Sequence, residues 1–175
     1  MRPVRRRRPD IRVGPGEKVL AATVDTDGRV IAGTRDALYA TSSGEPTSSI
    51  ELVETTRIPW EQVEAADWDS ETSILTVSEV GSWGAQRPQH SFTLDDPRRL
   101  LELVRERVSS TVVLQWHVPV HGRRGLRLIA RRAPGGDRSV TWVYEYDAGT
   151  DPADPTVRAA AEEALARAQE EVGSA

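Results

Sequence analysis

Residues 96–108 read DPRRLLELVRERV, and this stretch decides the fold class of the chain. Asp96 is predicted to be the N-cap of a helix, with Pro97 at the first helical position, where its missing N–H is not needed. Ser109 and Ser110 are predicted to end the helix. Its apolar side chains form one stripe at helical spacing: Leu100, Leu101, Val104 and Val108. Such a stripe has to dock on a sheet, so the strands around the helix set the architecture.

Short β-compatible runs alternate with turn residues before the helix. Asp25–Gly28 supplies turn chemistry between the first two runs, because its glycine can adopt a positive φ. Pro59 marks an edge or a bend, because proline cannot donate to a ladder. The predicted strands are residues 18–24, 29–34, 37–41, 50–58, 62–69, 73–80 and 90–94.

Three more strands and a second helix are predicted after the first helix. The strands are residues 112–120, 125–132 and 139–146, and their connections are too short for parallel crossovers. They therefore form an antiparallel meander. The last helix, about residues 156–172, carries a narrow alanine-rich stripe, which favours a helix docked on the surface.

The composition excludes several kinds of function. Cysteine is absent from the 175 residues, which removes disulfides, thiolate metal sites and cysteine nucleophiles. No apolar run approaches the ~20 residues of a membrane helix. The basic start, Met1–Arg8, leads into no apolar region, so we expect no secretory signal and a cytoplasmic protein. The net charge of −4 argues against a surface that binds nucleic acid everywhere.

Three stretches of the first half carry a resemblance to a known fold. They are Glu17–Ala21, Gly33–Tyr39 and Arg57–Val63, which contains the sequence IPWEQV. Together with the order of seven strands and one helix, they resemble bacterial PH-like and GRAM-like modules, and the chain is also similar to proteins of high-GC actinobacteria. The resemblance implies a seven-stranded PH-like barrel that is capped by its C-terminal helix.

The predicted fold class is therefore α+β, with a three-stranded antiparallel meander and a terminal helix after the PH-like barrel. Residues 1–16 are rich in arginine and proline without an apolar period, and we predict a disordered basic arm. Residues 17–110 form the PH-like domain. Residues 111–175 are an appendage that either packs on this domain or forms a small second one.

The resemblance also implies binding of phosphoinositides, peptides or partner proteins. A PH-like module that binds lipid carries basic residues in its first hairpin loop, where this chain has Asp25 and Asp27. Each carboxylate would repel a phosphorylated headgroup by ~1 kcal/mol or more at short range. Phosphoinositide binding is therefore disfavoured.

No motif for catalysis or for a cofactor is present, so we expect a non-catalytic protein without cofactor or metal. His117 and His121 have the spacing of a chelating pair on a helix, but their flanks are β-formers. Four residues of strand span ~13 Å, which is too far for a shared metal. The acidic clusters lie at turns, strand edges and helix starts, where solvation and capping explain them.

Two surfaces are candidates for binding. Trp83 lies in a glycine-rich loop without an evident core partner, although it could equally fold back over the barrel. The predicted meander gathers arginines, and the candidate binding residues among them are Arg123, Arg124, Arg127 and Arg131.

Alternation places Arg127 and Arg131 on one face, where they either bind a ligand or pair with carboxylates such as Glu145. The favoured partner is an unidentified protein. The alternative is a nucleic acid bound by the basic arm and the arginines of the meander. The sequence leaves the oligomeric state open.

Overall fold

The computed structural model describes residues 10–42, 54–81, 87–135 and 139–173. Within these ranges the chain forms ten strands in three antiparallel sheets, two α-helices and a short 3-10 turn, which confirms the α+β class. The strands are β1 (Ala21–Val24), β2 (Val30–Gly33), β3 (Ala37–Thr41), β4 (Thr55–Pro59), β5 (Val63–Asp69), β6 (Ile74–Glu79), β7 (Gln89–Thr93), β8 (Val112–His121), β9 (Arg124–Arg132) and β10 (Val140–Tyr146). The helices are α1 (Arg98–Thr111) and α2 (Pro155–Gly173), and the 3-10 turn is Trp60–Gln62.

The first seven strands form two sheets in sequence order, β1-β2-β3-β4 and β5-β6-β7. The predicted bend after Pro59 is confirmed. Pro59 still pairs with Ala37 in the first sheet, and the 3-10 turn then leads the chain into the second sheet. The indole of Trp60 is fully buried at this corner and donates to the carbonyl of Thr34 at 3.1 Å.

The first hairpin turn is organised by the buried carboxylate of Asp25. Its Oδ1 accepts hydrogen bonds from the backbone N–H groups of Asp27 (3.0 Å) and Arg29 (2.7 Å), and Gly28 takes the positive φ of 79°. The Arg29 guanidinium pairs with Oδ2 of the same carboxylate at 2.6 Å. The predicted turn is thus confirmed, and its aspartate is a structural residue.

The two sheets meet at one end, where a single bridge joins Asp25 to Leu94. Helix α1 packs against both sheets, in contact with β1 and β2 of the first and with β5 of the second. The sheets are open, and a closed barrel is not seen among the described residues.

Helix α1 differs from its prediction in two ways. The residue before its first turn is Pro97, and Asp96 makes no capping bond, because its backbone is at φ 46° and its carboxylate accepts from Nε of Arg98 at 2.9 Å. The predicted N-cap is therefore wrong. The buried apolar residues are Leu100, Leu103 and Val104, since two sheets cover the helix over a wider arc than one stripe.

The last three strands form the predicted antiparallel meander, in the order β10-β9-β8. One face is covered by α2, whose Val157, Ala161, Ala164 and Ala168 pack with Leu126 and Leu128 of β9. Helix α1 ends at Thr111 and β8 begins at Val112, so no loop separates the two parts of the chain.

A polar network fixes the start of the described chain. The carboxylate of Glu17 accepts from the Thr34 hydroxyl, from Tyr39 Oη (2.8 Å) and from Arg57 Nη2 (3.0 Å). Burial disfavours the charge, but these hydrogen bonds outweigh it and lower the pKa of Glu17. Tyr39 Oη also accepts from the N–H of Gly14 at 3.0 Å. The chain is therefore already held at Gly14, while the boundaries of the three predicted segments stay predictions.

Among the described residues, neither helix is long and apolar enough to cross a bilayer.

Gly125→Ala should destabilise the meander. A Cβ at this position would clash with the backbone carbonyl of Val118 and stand only 2.9 Å from Cα of Pro119, so β8 would have to move. We expect a loss of about 2 kcal/mol in the free energy of unfolding, measured with urea. Gly173→Ala is the control, because nothing lies within 4 Å of its Cβ position. Equal effects of the two changes would contradict the clash.

Candidate functional site

A cleft of about 800 Å³ opens between α1 and β5. Its β-sheet wall consists of Ala66, Asp67 and Trp68 of β5 and Leu75 of β6. Its helical wall includes Leu101, Glu102, Arg105, Val108 and Ser109, which recur at helical spacing along α1. The cleft therefore lies between the second sheet and α1.

The floor of the cleft is apolar. Ala66, Trp68, Leu101 and Val108 are each partly buried and pack against the main hydrophobic core. Because an extended strand alternates its faces, Ala66 and Trp68 turn to the same side. The core therefore reaches the solvent at this place, which is typical of an interaction surface.

The outer edge of β5 lies along the same cleft. β5 is the end strand of its sheet and pairs only with β6 among the described strands. At its first part, the carbonyl of Glu64 accepts a hydrogen bond from Arg131. From Ala66 to Asp69 no described strand pairs with the outer edge, so backbone donors and acceptors stand beside the apolar floor.

Charged side chains of both signs surround the cleft. Arg98 is held by Asp96 at 2.9 Å, and Glu106 lies 3.6 Å from Arg107. Asp67, Glu102 and Arg105 form no ion pair within the described part of the chain, so both signs are available to a ligand.

The predicted arginine surface is not one surface. Arg131 is only 4% exposed, and it lies between the two parts of the chain. Its Nη1 donates to the carbonyl of Val108 (3.0 Å) and to Oγ1 of Thr111 (2.9 Å), and its Nη2 donates to the carbonyl of Glu64 (2.9 Å). Arg131 is therefore covered by the end of α1 and the start of β5, and its role in binding stays a prediction.

The other three candidate arginines differ from each other. Arg127 pairs with Glu145 at 2.8 Å, which is the pairing with a carboxylate that the sequence pattern predicts as the alternative to ligand binding. Arg123 and Arg124 are exposed at the hairpin between β8 and β9, where Gly122 has a φ of 66°. Trp83 lies outside the described residues.

A buried carboxylate stands beside Arg131. The side chain of Glu64 is only 5% exposed and forms an ion pair with Arg87, whose Nη2 also donates to the carbonyl of Tyr144 at 3.1 Å. Burial raises the pKa of Glu64, Arg87 opposes the rise, and Glu145 adds to it. These groups link β5, the segment before β7 and the meander.

The two histidines of β8 each have a separate carboxylate partner. His117 Nε2 lies 3.0 Å from Asp147 Oδ2, and His121 Nε2 lies 3.3 Å from Asp154 Oδ2. The pKa of Asp147 is lowered, chiefly by the hydrogen bond with His117 and by the N–H of Gly125. These contacts fasten the middle and the end of β8 to the segments that follow β10.

The cleft was missed at the sequence level. Leu101 and Val108 belong to the predicted helix stripe, whose centre and margin the sequence pattern does not distinguish. The available signal was the width of that stripe: with Leu103 included, the apolar residues exceed what one sheet can cover. The outermost members then remain partly exposed.

No protein-family model matches the chain, and no curated protein matches it significantly. The function has to be argued from the geometry.

Replacing Arg131 should cost much more stability than replacing Arg127. Arg131→Met removes the side-chain donor to the buried carbonyl of Glu64 and leaves the Val108 carbonyl with the Thr111 hydroxyl alone, and we expect a loss of about 3 kcal/mol in the free energy of unfolding. Arg127→Met removes a half-exposed ion pair and should cost under about 1 kcal/mol. Urea unfolding measures both. Equal losses would mean that Arg131 does not join the two parts.

Glu64→Gln should change how stability depends on pH. Because the folded chain holds the Glu64 proton more tightly than the unfolded chain, the wild type is favoured at low pH. Its stability relative to the variant should fall as the pH rises from about 4.3, the ordinary glutamate pKa, and level off above the raised folded value. Unfolding measured from pH 4 to pH 8 tests this, with Glu71→Gln at an exposed turn as the control. A flat or rising difference would contradict it.

Proposed function

We propose that the chain is a non-catalytic interaction module with a PH-like N-terminal unit, and that it binds an extended segment of a partner protein between α1 and β5. The segment adds a fourth strand to the sheet β5-β6-β7. The coincidence of an unpaired strand edge with an apolar cleft carries this proposal.

The backbone edge of β5 and the apolar floor of the cleft have separate roles in this binding mode. The backbone of residues 66–69 supplies hydrogen bonds that do not depend on the ligand sequence, and the apolar floor supplies selectivity. Alternate side chains of an added strand point to one face, so every second ligand residue would meet Trp68, Leu101 or Val108. The ligand is therefore an extended segment with apolar residues at alternate positions.

The rim adds a charge preference to this pattern. Asp67 and Glu102 offer carboxylates, and Arg105 offers a cation three residues along the helix from Glu102. A ligand with charges of both signs between its apolar residues meets a partner for each. A highly charged ligand of one sign, such as a phosphorylated headgroup or a nucleic acid, does not fit this rim.

Nucleic-acid binding receives less support. This alternative rests on the basic arm and on the arginines of the meander. Of the four candidate arginines in the meander, Arg131 is buried and Arg127 is paired with Glu145, which leaves Arg123 and Arg124, while residues 1–9 of the arm lie outside the described residues. Fewer available arginines mean a shallower salt dependence, because log affinity changes with the number of phosphates neutralised. Retention on heparin that falls steeply between low and physiological salt would favour nucleic acid over a protein partner.

Filling the cleft should abolish peptide binding. Short random peptides displayed on phage are selected on the immobilised wild-type protein, and the enriched sequences are synthesised with a fluorescent label. Ala66→Phe places a large side chain on the cleft floor without removing any core group, so labelled peptides should bind at least tenfold more weakly. Fluorescence anisotropy measures the affinity.

The matched control is Ala166→Phe, which makes the same change on the exposed side of α2. It should leave the affinity unchanged, and bound peptide should slow amide hydrogen exchange in residues 66–69. Enrichment of no peptide, or peptides that bind Ala66→Phe as well as wild type, would overturn the proposal.

A further inference from the structure

The longest of the described strands lies at the edge of its sheet. β8 has ten residues, Val112–His121, and is the end strand of the order β10-β9-β8. Its sequence VVLQWHVPVH contains no Asp, Glu, Lys or Arg. Proteins usually protect such edges with charged side chains, prolines or bulges, because the unpaired backbone recruits another strand.

The protection of β8 is confined to its ends. Register irregularities lie between Val112 and Leu114 and between Pro119 and His121, and Pro119 lacks an N–H. Between them the pairing with β9 is regular from Leu114 to Pro119. This middle stretch keeps a straight, uncharged outer edge, and no other described strand pairs with it.

We infer that a second copy of this chain pairs with β8 along this edge, antiparallel and about a twofold axis at Trp116. The three-stranded sheets of the two copies then join into one sheet of six strands. This surface is separate from the cleft of the proposed function, because the cleft belongs to a different sheet.

The side-chain pattern of β8 complements itself in this register. A twofold axis perpendicular to the sheet keeps each face on its own side, so residues opposite each other must come from the same face. With Trp116 on the axis, Leu114 lies opposite the second copy's Val118, and Gln115 lies opposite its His117. Apolar groups thus meet apolar groups, and polar groups meet polar groups.

Neighbouring registers fit less well. A shift of the axis to Gln115 places Val113 opposite His117, and a shift to His117 places two imidazoles against each other. Only the axis at Trp116 maps the regular stretch from Leu114 to Val118 onto itself with like beside like.

A second groove beside the edge supports the same occupant. It has about 350 Å³ and lies between β8 and α2. Trp116 and Val118 lie on the β8 wall, and the α2 wall combines the small side chains of Ala160 and Ala164 with the ion pair Glu163–Arg167. The four apolar residues are at least partly buried yet line open space, so the apolar row on the α2 face of β8 has room for one more side chain at the edge. The second copy's Trp116, directly opposite, has the size and chemistry to fill this space.

The oligomeric state tests the inference directly. Light scattering behind size exclusion should show a mass that rises with protein concentration from 19.3 kDa towards twice that value. Gln115→Lys/His117→Lys places lysines opposite lysines across the axis, and both sites are exposed, so the chain itself should still fold. We expect at least tenfold weaker association, with an unchanged circular dichroism spectrum.

The matched control is Ala159→Lys/Ala166→Lys, which adds the same charge on the exposed side of α2 and should associate like wild type. Mixing the β8 lysine variant with Gln115→Glu should restore mixed dimers, because the carboxylate introduced at position 115 then faces the ammonium introduced at position 117 of the other copy. A wild-type chain that stays monomeric at every concentration would overturn the inference. So would association that the β8 lysines leave intact, or that both lysine pairs weaken equally.

Discussion

The guanidinium of Arg131 joins the two parts of this molecule. It comes from β9, and it reaches two carbonyls and one hydroxyl that belong to the end of α1 and the start of β5. The last turn of α1 contains no basic residue of its own, so Arg131 also supplies the cation that the C-terminal end of a helix favours. Three elements that are distant in sequence are therefore held by one side chain, whose charge is compensated by dipoles and by the nearby Glu64 and Glu145.

Patterns that are local in the sequence predicted most of the strands and helices. Contacts between residues distant in sequence determined the features that these patterns did not predict. The strands, the first turn and the meander follow from alternation, turn residues and short connections. Asp96 failed as an N-cap because Leu94, two residues earlier, is already fixed by its bridge to Asp25 and by its N–H bond to the carbonyl of Ser73. Tertiary pairing thus set the direction in which the chain enters α1. The burial of Arg131 was not predicted for a similar reason, since alternation assigns a residue to a face of the sheet but does not say what covers that face.

The cleft is a consequence of the open corner between the two sheets. Helix α1 packs against both sheets, and the apolar residues at the centre of its packed face, Leu100, Leu103 and Val104, are buried. Leu101 and Val108 lie at the margin and remain partly exposed beside Trp68. A closed barrel would have paired the outer edge of β5 and covered this floor. The same departure from closure therefore leaves both the backbone edge and the apolar surface that a ligand strand requires.

The direct passage from α1 into β8 has a mechanical consequence. No residue lies between Thr111 and Val112, so the helix that lines the cleft continues directly into the strand that forms an outer edge. In a pair of chains joined through β8, two clefts would be held at a constant separation and orientation. A partner that carries two suitable segments would then bind both at once, and the length of chain between its segments would decide whether it gains from the second contact.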